Sequence, residues 1–180
     1  MGKEIIIVTI SLGNDGAERI LTELARQWHH DGHRITVIQT SPNRYGTEYA
    51  LPEGIEQIQI HTTSSNKILR FLQEIKALIG ILKQRPNATC LSFLSASSFI
   101  LAISSWFVKN RMVFSERNNP RKVPVGKHQQ MLRDFAFRFA DVLVFQTEDA
   151  KSYFSKSIQS RGHIIPNPIN GNLPEPYEGE

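Results

Sequence analysis

The chain has 180 residues, 40% apolar and 21% charged, with twenty-one Lys and Arg against seventeen Asp and Glu for a net charge of +4. This is the balance of a soluble globular protein with a substantial core in one domain, and its single cysteine excludes an internal disulfide or a cysteine metal site. No run reaches the eighteen apolar residues of a membrane-spanning helix, and the modest positive excess suits a phosphate-bearing or membrane-surface partner without requiring one.

Cys90 lies in the apolar run C-L-S-F-L and reads as a buried thiol in a reducing compartment. The N-terminus lacks a basic segment leading into a long apolar stretch and a cleavage site, so a cytoplasmic location is expected.

The first element expected is a continuous apolar strand over residues 4–10, of the kind buried on both faces of a parallel sheet. It leads into S-L-G-N-D-G-A-E-R, residues 11–19, and then a helix with Ile20, Leu21, Leu24, Ala25 and Trp28 at three- and four-residue spacing, ended by Asp31-Gly32. Strand, tight loop and helix open a βαβ unit. Gly13 and Gly16 let a ligand approach the backbone, and the helix behind them presents unpaired N–H groups and the positive end of its dipole. Two readings stand: an anion site, or a plain turn from strand to helix. The loop has neither the full dinucleotide fingerprint nor the Gly-Lys-Ser/Thr of a P-loop, so by itself it names no cofactor. His29, His30 and His33 sit at the helix end, where the dipole favours a cation, and no carboxylate or cysteine completes a metal shell.

A second strand is predicted over residues 34–39, a loop over 40–54, and a less regular third strand at Ile55, Ile58 and Ile60. Residues 67–83 form an amphipathic helix whose stripe is Ile68, Leu69, Phe71, Leu72, Ile75, Leu78, Ile79 and Leu82, with Lys67, Arg70, Lys76 and Lys83 on the remaining surface. The stripe reads first as a face packed on a sheet with its cations solvated, and second as a membrane-surface face. Pro86 closes it. A fourth strand over 89–94, a small-residue turn Ser95-Ala96-Ser97-Ser98 and a nearly all-apolar helix over 99–108 follow.

A fifth strand over 112–116 ends in S-E-R-N-N-P-R-K, residues 115–122, the most polar and cationic cluster of the chain. Ligands of open α/β sheets bind beyond the carboxyl ends of the strands, so this cluster and the first loop should face one crevice. The alternative is a solvated basic loop with Glu116 and Asn118 as turn residues. A helix over 132–140 has Arg133, Asp134 and Arg138 around its apolar face. A sixth strand over 142–145 precedes a Thr147 N-cap, and Ile164-Ile165 ends the sheet. This alternation predicts an α/β fold: a Rossmann-like, doubly wound, mainly parallel sheet with helices on both faces, over residues 1–166, and a linker over 167–180.

The blocks N-D-G-A-E-R-I-L-T-E-L-A, W-H-H-D-G-H-R-I-T-V-I, S-F-L, S-E-R-N-N-P, A-D-V-L-V-F-Q-T and I-I-P-N-P-I resemble, in order, the N-terminal half of glycosyltransferase family 4. Through S-F-L and S-E-R-N the chain is most similar to bacterial members that extend glycans on undecaprenyl diphosphate or at the cell surface. The resemblance implies one half of a GT-B architecture and transfer of a sugar, with retention, from a nucleotide-sugar donor to a lipid-linked or cell-surface glycan. It implies no cofactor, no metal and no nucleic-acid partner, and work at the inner face of the cytoplasmic membrane, with a possible contact to an anionic surface through Lys67, Arg70, Lys76 and Lys83 by charge alone. It also implies a donor-binding C-terminal domain that this sequence does not contain, so a piece of a longer protein is expected, inactive alone.

By the same resemblance Asp15, Gly16, Ser115, Glu116, Arg117, Asn118, Arg121 and Lys122 are the acceptor or diphosphate-binding candidates, and Ser92, Phe93 and Leu94 line the acceptor cleft. The catalytic residue stays unassigned. Asp15 stands where the family usually has glycine, and its carboxylate would oppose a phosphate there. Two other readings of the residues remain: a non-catalytic Rossmann domain binding a nucleotide or polyanion, and an interaction module using the amphipathic helix.

Overall fold

The computed structural model describes residues 2–13, 16–41, 50–93 and 95–167. Asp15, Leu94 and the predicted linker beyond Asn167 lie outside the described residues. Strand β1, Glu4–Thr9, feeds helix α1, Gly16–His30, and strand β2, Arg34–Gln39, follows. Helix α1 ends as its sequence predicts: Gly32 takes φ +83°, and the His33 N–H reaches back to the Trp28 carbonyl at 2.9 Å, the long bond of a Schellman motif.

Next come β3, Glu56–Gln59, helix α2, Lys67–Lys83, strand β4, Thr89–Ser92, and helix α3, Ser95–Ser104. A 3-10 turn at Ser105–Phe107 completes α3. The small-residue stretch expected as a turn is thus the first turn of α3. Its polar side chains are tolerated because Ser97 and Ser98 are buried against the sheet, where the Ser98 hydroxyl shares a 2.7 Å hydrogen bond with Ser92. Strand β5, Arg111–Glu116, leads to helix α4, Lys127–Phe137, which begins five residues earlier than its apolar period indicated because its first turns are polar and exposed. Strand β6, Val142–Phe145, helices α5, Glu148–Ser152, and α6, Lys156–Gln159, and strand β7, Gly162–Ile164, complete the chain. Thr147 caps α5, its Oγ1 accepting from the Ala150 N–H at 3.1 Å.

Among the described residues the seven strands form one sheet in the order β3-β2-β1-β4-β5-β6-β7, every pair parallel. The chain steps outward from β1 to β3, then returns to β4 beside β1. That reversal opens a crevice at the carboxyl ends of β1 and β4. Period-two alternation splits the core between the faces. Ile6 and Val8 pack with Leu78 and Leu82 of α2, Leu101 of α3 and Phe137 of α4, and Ile7 packs with Ile20, Leu21 and Ala25 of α1. Helices therefore cover both faces, as the sequence predicts.

Helix α2 departs from expectation. Ile75, Leu78 and Leu82 are buried, but Ile68, Leu69 and Leu72 of the same stripe are exposed, and Glu74 is buried instead. Burial raises the Glu74 carboxyl above its usual range, against the pull of Arg70. Cys90 is buried in the sheet, its thiol pushed up to about 12 by desolvation and then by Glu4.

Candidate functional site

The crevice is a cleft of about 610 Å³ lined by Gly16, Ala17, Arg19 and Ile20 at the start of α1, Arg117 and Asn118 after β5, Gln146 after β6 and Asn167 after β7. Four segments from the carboxyl edge of the sheet thus meet there. Gly16 leaves open space where a side chain would stand, so the first amides of α1 can be approached closely. Behind the loop Glu18 is buried. Its Oε1 accepts from Ser11 Oγ at 3.3 Å, and a side chain at Gly13 would meet its Oε2 at 3.0 Å.

Two cations line this cleft, Arg19, exposed on α1, and Arg117, which is half-buried. The Arg117 guanidinium lies over the Phe93 ring, 4.6 Å from the centroid, and Nη1 donates to Asn167 Oδ1 at 2.8 Å. Gln146 Nε2 donates to the same oxygen at 3.0 Å. The Arg117 Nε is buried and makes no hydrogen bond among the described residues. Burial lowers the Arg117 pKa, the expected cost of holding a cation out of water. A phosphate or carboxylate oxygen entering the cleft would meet the dipole end of α1 on one side and a half-buried guanidinium on the other.

The turn that presents Arg117 is held from behind. Glu116 is buried, and its Oε1 accepts from the Asn118 N–H at 3.0 Å. Arg133 lies 3.8 Å from Glu116 Oε2 and donates to the carbonyls of Pro120 at 3.1 Å and Val123 at 3.0 Å. It also pairs with Asp134 at 2.9 Å and stacks over the rings of Tyr153 and Phe154. Desolvation dominates Glu116 and raises its carboxyl to about 7 despite the hydrogen bond from Asn118 and the Arg133 charge.

The structure brings together Gly16, Arg117 and Asn118, with Phe93 beneath the guanidinium. It does not bring Arg121 and Lys122 to the cleft wall: Arg121 pairs with Asp149 at 3.3 Å, both exposed, and Lys122 stands in solvent. Ser115 and Glu116 are buried behind the turn, and Ser92 is buried with its hydroxyl engaged by Ser98. Asp15 and Leu94 lie outside the described residues.

Sequence reasoning missed four positions. Arg133 was expected on the helix surface, yet it is buried, and its four-residue spacing from buried Phe137 was the available signal. Gln146 directly follows β6 and was open to the same strand-end argument as Arg117. Arg19 and Asn167 fall inside quoted blocks without a side-chain pattern to mark them. The histidines that could suggest a metal are dispersed in role: His33 Nδ1 accepts from the Lys3 N–H at 3.1 Å, and His30 lies 3.7 Å from Asp31 in solvent. Among the described residues no three His, Cys, Asp or Glu side chains are grouped to hold a metal ion, and no helix is long and apolar enough to cross a membrane.

A sequence profile described as Glycosyltransferase Family 4 matches residues 14–172. No protein of curated function matches the chain by sequence. Solved structures do match its shape. HepE from Anabaena, in complex with UDP and glucose, superposes with a TM-score of 0.73 at 14% identity, over 93% of this chain and 45% of that one. The lipopolysaccharide outer core galactosyltransferase WaaB in its apo form gives 0.71 at 11% identity, over 93% and 46%. Sucrose-phosphate synthase from Thermosynechococcus elongatus gives 0.70 at 7% identity, over 91% and 48%. The chain spans about half the length of these structures, and identities this low carry the fold alone.

Proposed function

Because this chain belongs to glycosyltransferase family 4, we propose that it is the acceptor-side half of a retaining GT-B enzyme. It moves a sugar from a nucleotide-sugar donor to a lipid-linked or cell-surface glycan at the inner face of the cytoplasmic membrane. A second, donor-binding half lies outside these 180 residues, and the isolated domain binds without turning over. The observation that carries the reading is the cleft beyond the carboxyl ends of β5, β6 and β7, lined by the N-terminus of α1 and by Arg117.

Glycosyl transfer from a nucleotide donor leaves a diphosphate whose charge grows as the anomeric bond breaks. Donors fixed in place before the reaction stabilise that charge most effectively, because they need no reorganisation in the transition state. A helix N-terminus supplies such a field, and a guanidinium held by Phe93 and Asn167 supplies another. On this reading Arg117 and Asn118 orient phosphate oxygens of the acceptor or leaving group, Glu116 and Arg133 hold their turn, and no divalent metal is needed.

The test is an assay of the full-length protein with a panel of nucleotide sugars and a lipid-diphosphate-linked acceptor, with and without a chelator, following the anomeric configuration of the product by NMR. Chelator-insensitive transfer with retention is expected. Inversion would refute the retaining assignment, and activity restored only by added magnesium or manganese would refute the metal-free one. Nucleotide binding with no transfer to any acceptor would favour a non-catalytic binding domain.

A further inference from the structure

Glu74 is a buried carboxyl that the phosphate cleft does not use. It stands on α2 at 9% exposure and takes no hydrogen bond among the described residues. Arg70, one turn earlier, acts on it only as a nearby charge, and burial outweighs that pull. A carboxyl at this depth without a hydrogen-bond donor opposes folding. It calls for a partner that the described residues do not supply.

Glu74 lines a concavity of about 470 Å³, within the roughly 300–1,000 Å³ of small-molecule sites. Ile10 and Thr40, just past β1 and β2, set it at the carboxyl edge of the sheet. Helices α2 and α3 contribute Phe71 and Phe99, stacked with ring centroids 5.8 Å apart and 19° between planes, and α4 contributes the exposed amide of Gln129. The lining is thus mainly apolar with a few polar groups, the make-up of a site that orients a small ligand. Arg133 lines it as well and lies 3.8 Å from Glu116, whose carboxyl holds the turn of Arg117. Two buried residues therefore join this concavity to the phosphate cleft.

The lining selects a class of ligand. A cation would face both Arg70 and Arg133. An anion would lie beside Glu74, while Arg133 already spends its charge on Asp134 and on the carbonyls of Pro120 and Val123. A purely apolar ligand would leave Glu74 as unsatisfied as before. A neutral ring with hydroxyls at its rim meets every requirement: its O–H groups donate to the carboxyl, its oxygens accept from the Gln129 amide, and its C–H face lies on an aromatic ring. We propose that this concavity binds a neutral saccharide, with Glu74 accepting hydrogen bonds from its hydroxyls and Phe71 and Phe99 carrying the C–H face of the ring. For its role the proposal rests on the glycosyl-transfer reading given above. There the occupant is the glycan part of an acceptor whose phosphate lies at Arg117, and Glu74 is a specificity-determining residue.

The test is a titration of the isotopically labelled 180-residue chain, followed by NMR, with the neutral methyl glycosides of glucose, galactose and N-acetylglucosamine, beside methyl glucuronide and methyl glucosaminide as anionic and cationic counterparts. At least one neutral glycoside is expected to shift the resonances of Phe71, Glu74 and Phe99 and to bind more tightly than either charged one. Glu74→Leu, which removes the unsatisfied carboxyl, should melt no lower than wild type and lose at least roughly tenfold in that affinity. Glu74→Gln, which keeps a carbonyl acceptor, should lose less, and Gln129→Ala, an exposed change, should weaken binding with an unchanged melt. No shift by any neutral glycoside, equal or tighter binding of a charged one, or undiminished binding by both Glu74→Leu and Gln129→Ala would overturn the site. Saccharide binding here without transfer by the full-length protein would overturn the enzymatic reading and leave the site standing. Transfer with an acceptor KM untouched by Glu74→Leu would do the reverse.

Discussion

Helix α1 buries Ile20, Leu21 and Ala25 against the sheet, whereas α2 buries Ile75, Leu78 and Leu82 in its later turns and leaves Ile68, Leu69 and Leu72 in solvent. Both helices carry a stripe of the same period and both begin at the carboxyl edge of the sheet. Their first turns have diverged: that of α1 faces a polar cleft with Arg117, and that of α2 is capped by Asn66 and bears an apolar lip. A period reports that one side of a helix is apolar. What covers it is decided by the neighbours: in the first turns of α2 Phe71 stacks on Phe99, while Ile68, Leu69 and Leu72 stay in solvent among the described residues.

Truncations along the two stripes give the largest contrast. Leu21→Ala and Leu78→Ala each leave a cavity at a fully buried site and should cost about 2–5 kcal/mol in urea unfolding, while Leu69→Ser should stay within about 0.5 kcal/mol of wild type. Comparable losses at Leu69 and Leu78 would mean that the whole of α2 is packed in solution.

A slightly smaller effect distinguishes the wall of the cleft from the lip. The Glu116 carboxyl stands at about 7 in the fold against an ordinary value of 4.5. The folded chain therefore keeps the proton through this window while the unfolded chain releases it. The associated stability is fully present below pH 4.5, is lost as pH rises towards about 7 and is level above, a change of about 3 kcal/mol. Glu116→Gln keeps an acceptor for the Asn118 N–H and removes the titration, so its stability should lack that decline. Parallel pH profiles for the two proteins would contradict the burial of this carboxyl.

The smallest effect concerns the α2 cap. Asn66 Oδ1 accepts from the Ile68 N–H at 2.9 Å and the Leu69 N–H at 3.3 Å, so Asn66→Ala should cost about 1 kcal/mol and fray the turn that carries the lip. An unchanged unfolding midpoint would show that this turn is held by something other than its cap.

Much of the fold was legible because its signals are local. The Ile5–Val8 run, the stripe of α1 and Asp31-Gly32 each specify an element without reference to the rest, and the alternation of strand and helix specifies a parallel sheet. The strand-end rule placed Arg117 and Asn118 correctly in a crevice with Gly16. It did not separate them from Arg121, whose side chain turns to Asp149, because a chain direction after a strand is set by packing. Buried polar groups were the least legible. Arg133, Glu116 and Ser98 look like surface or turn residues in isolation and become interior only through one another and through Ser92 and Tyr153.

The central claim is that the cleft between α1 and Arg117 handles phosphate during glycosyl transfer. Its most direct test is the kinetics of Arg117→Ala in the full-length enzyme with a phosphate-bearing acceptor, beside a thermal melt. The account predicts a loss of about 1.5–3 kcal/mol in kcat/KM, the range for a hydrogen bond to a charged group, with the melting temperature unchanged. Unchanged kcat and KM in a variant that melts like wild type would contradict it and leave Arg117 as part of the surface.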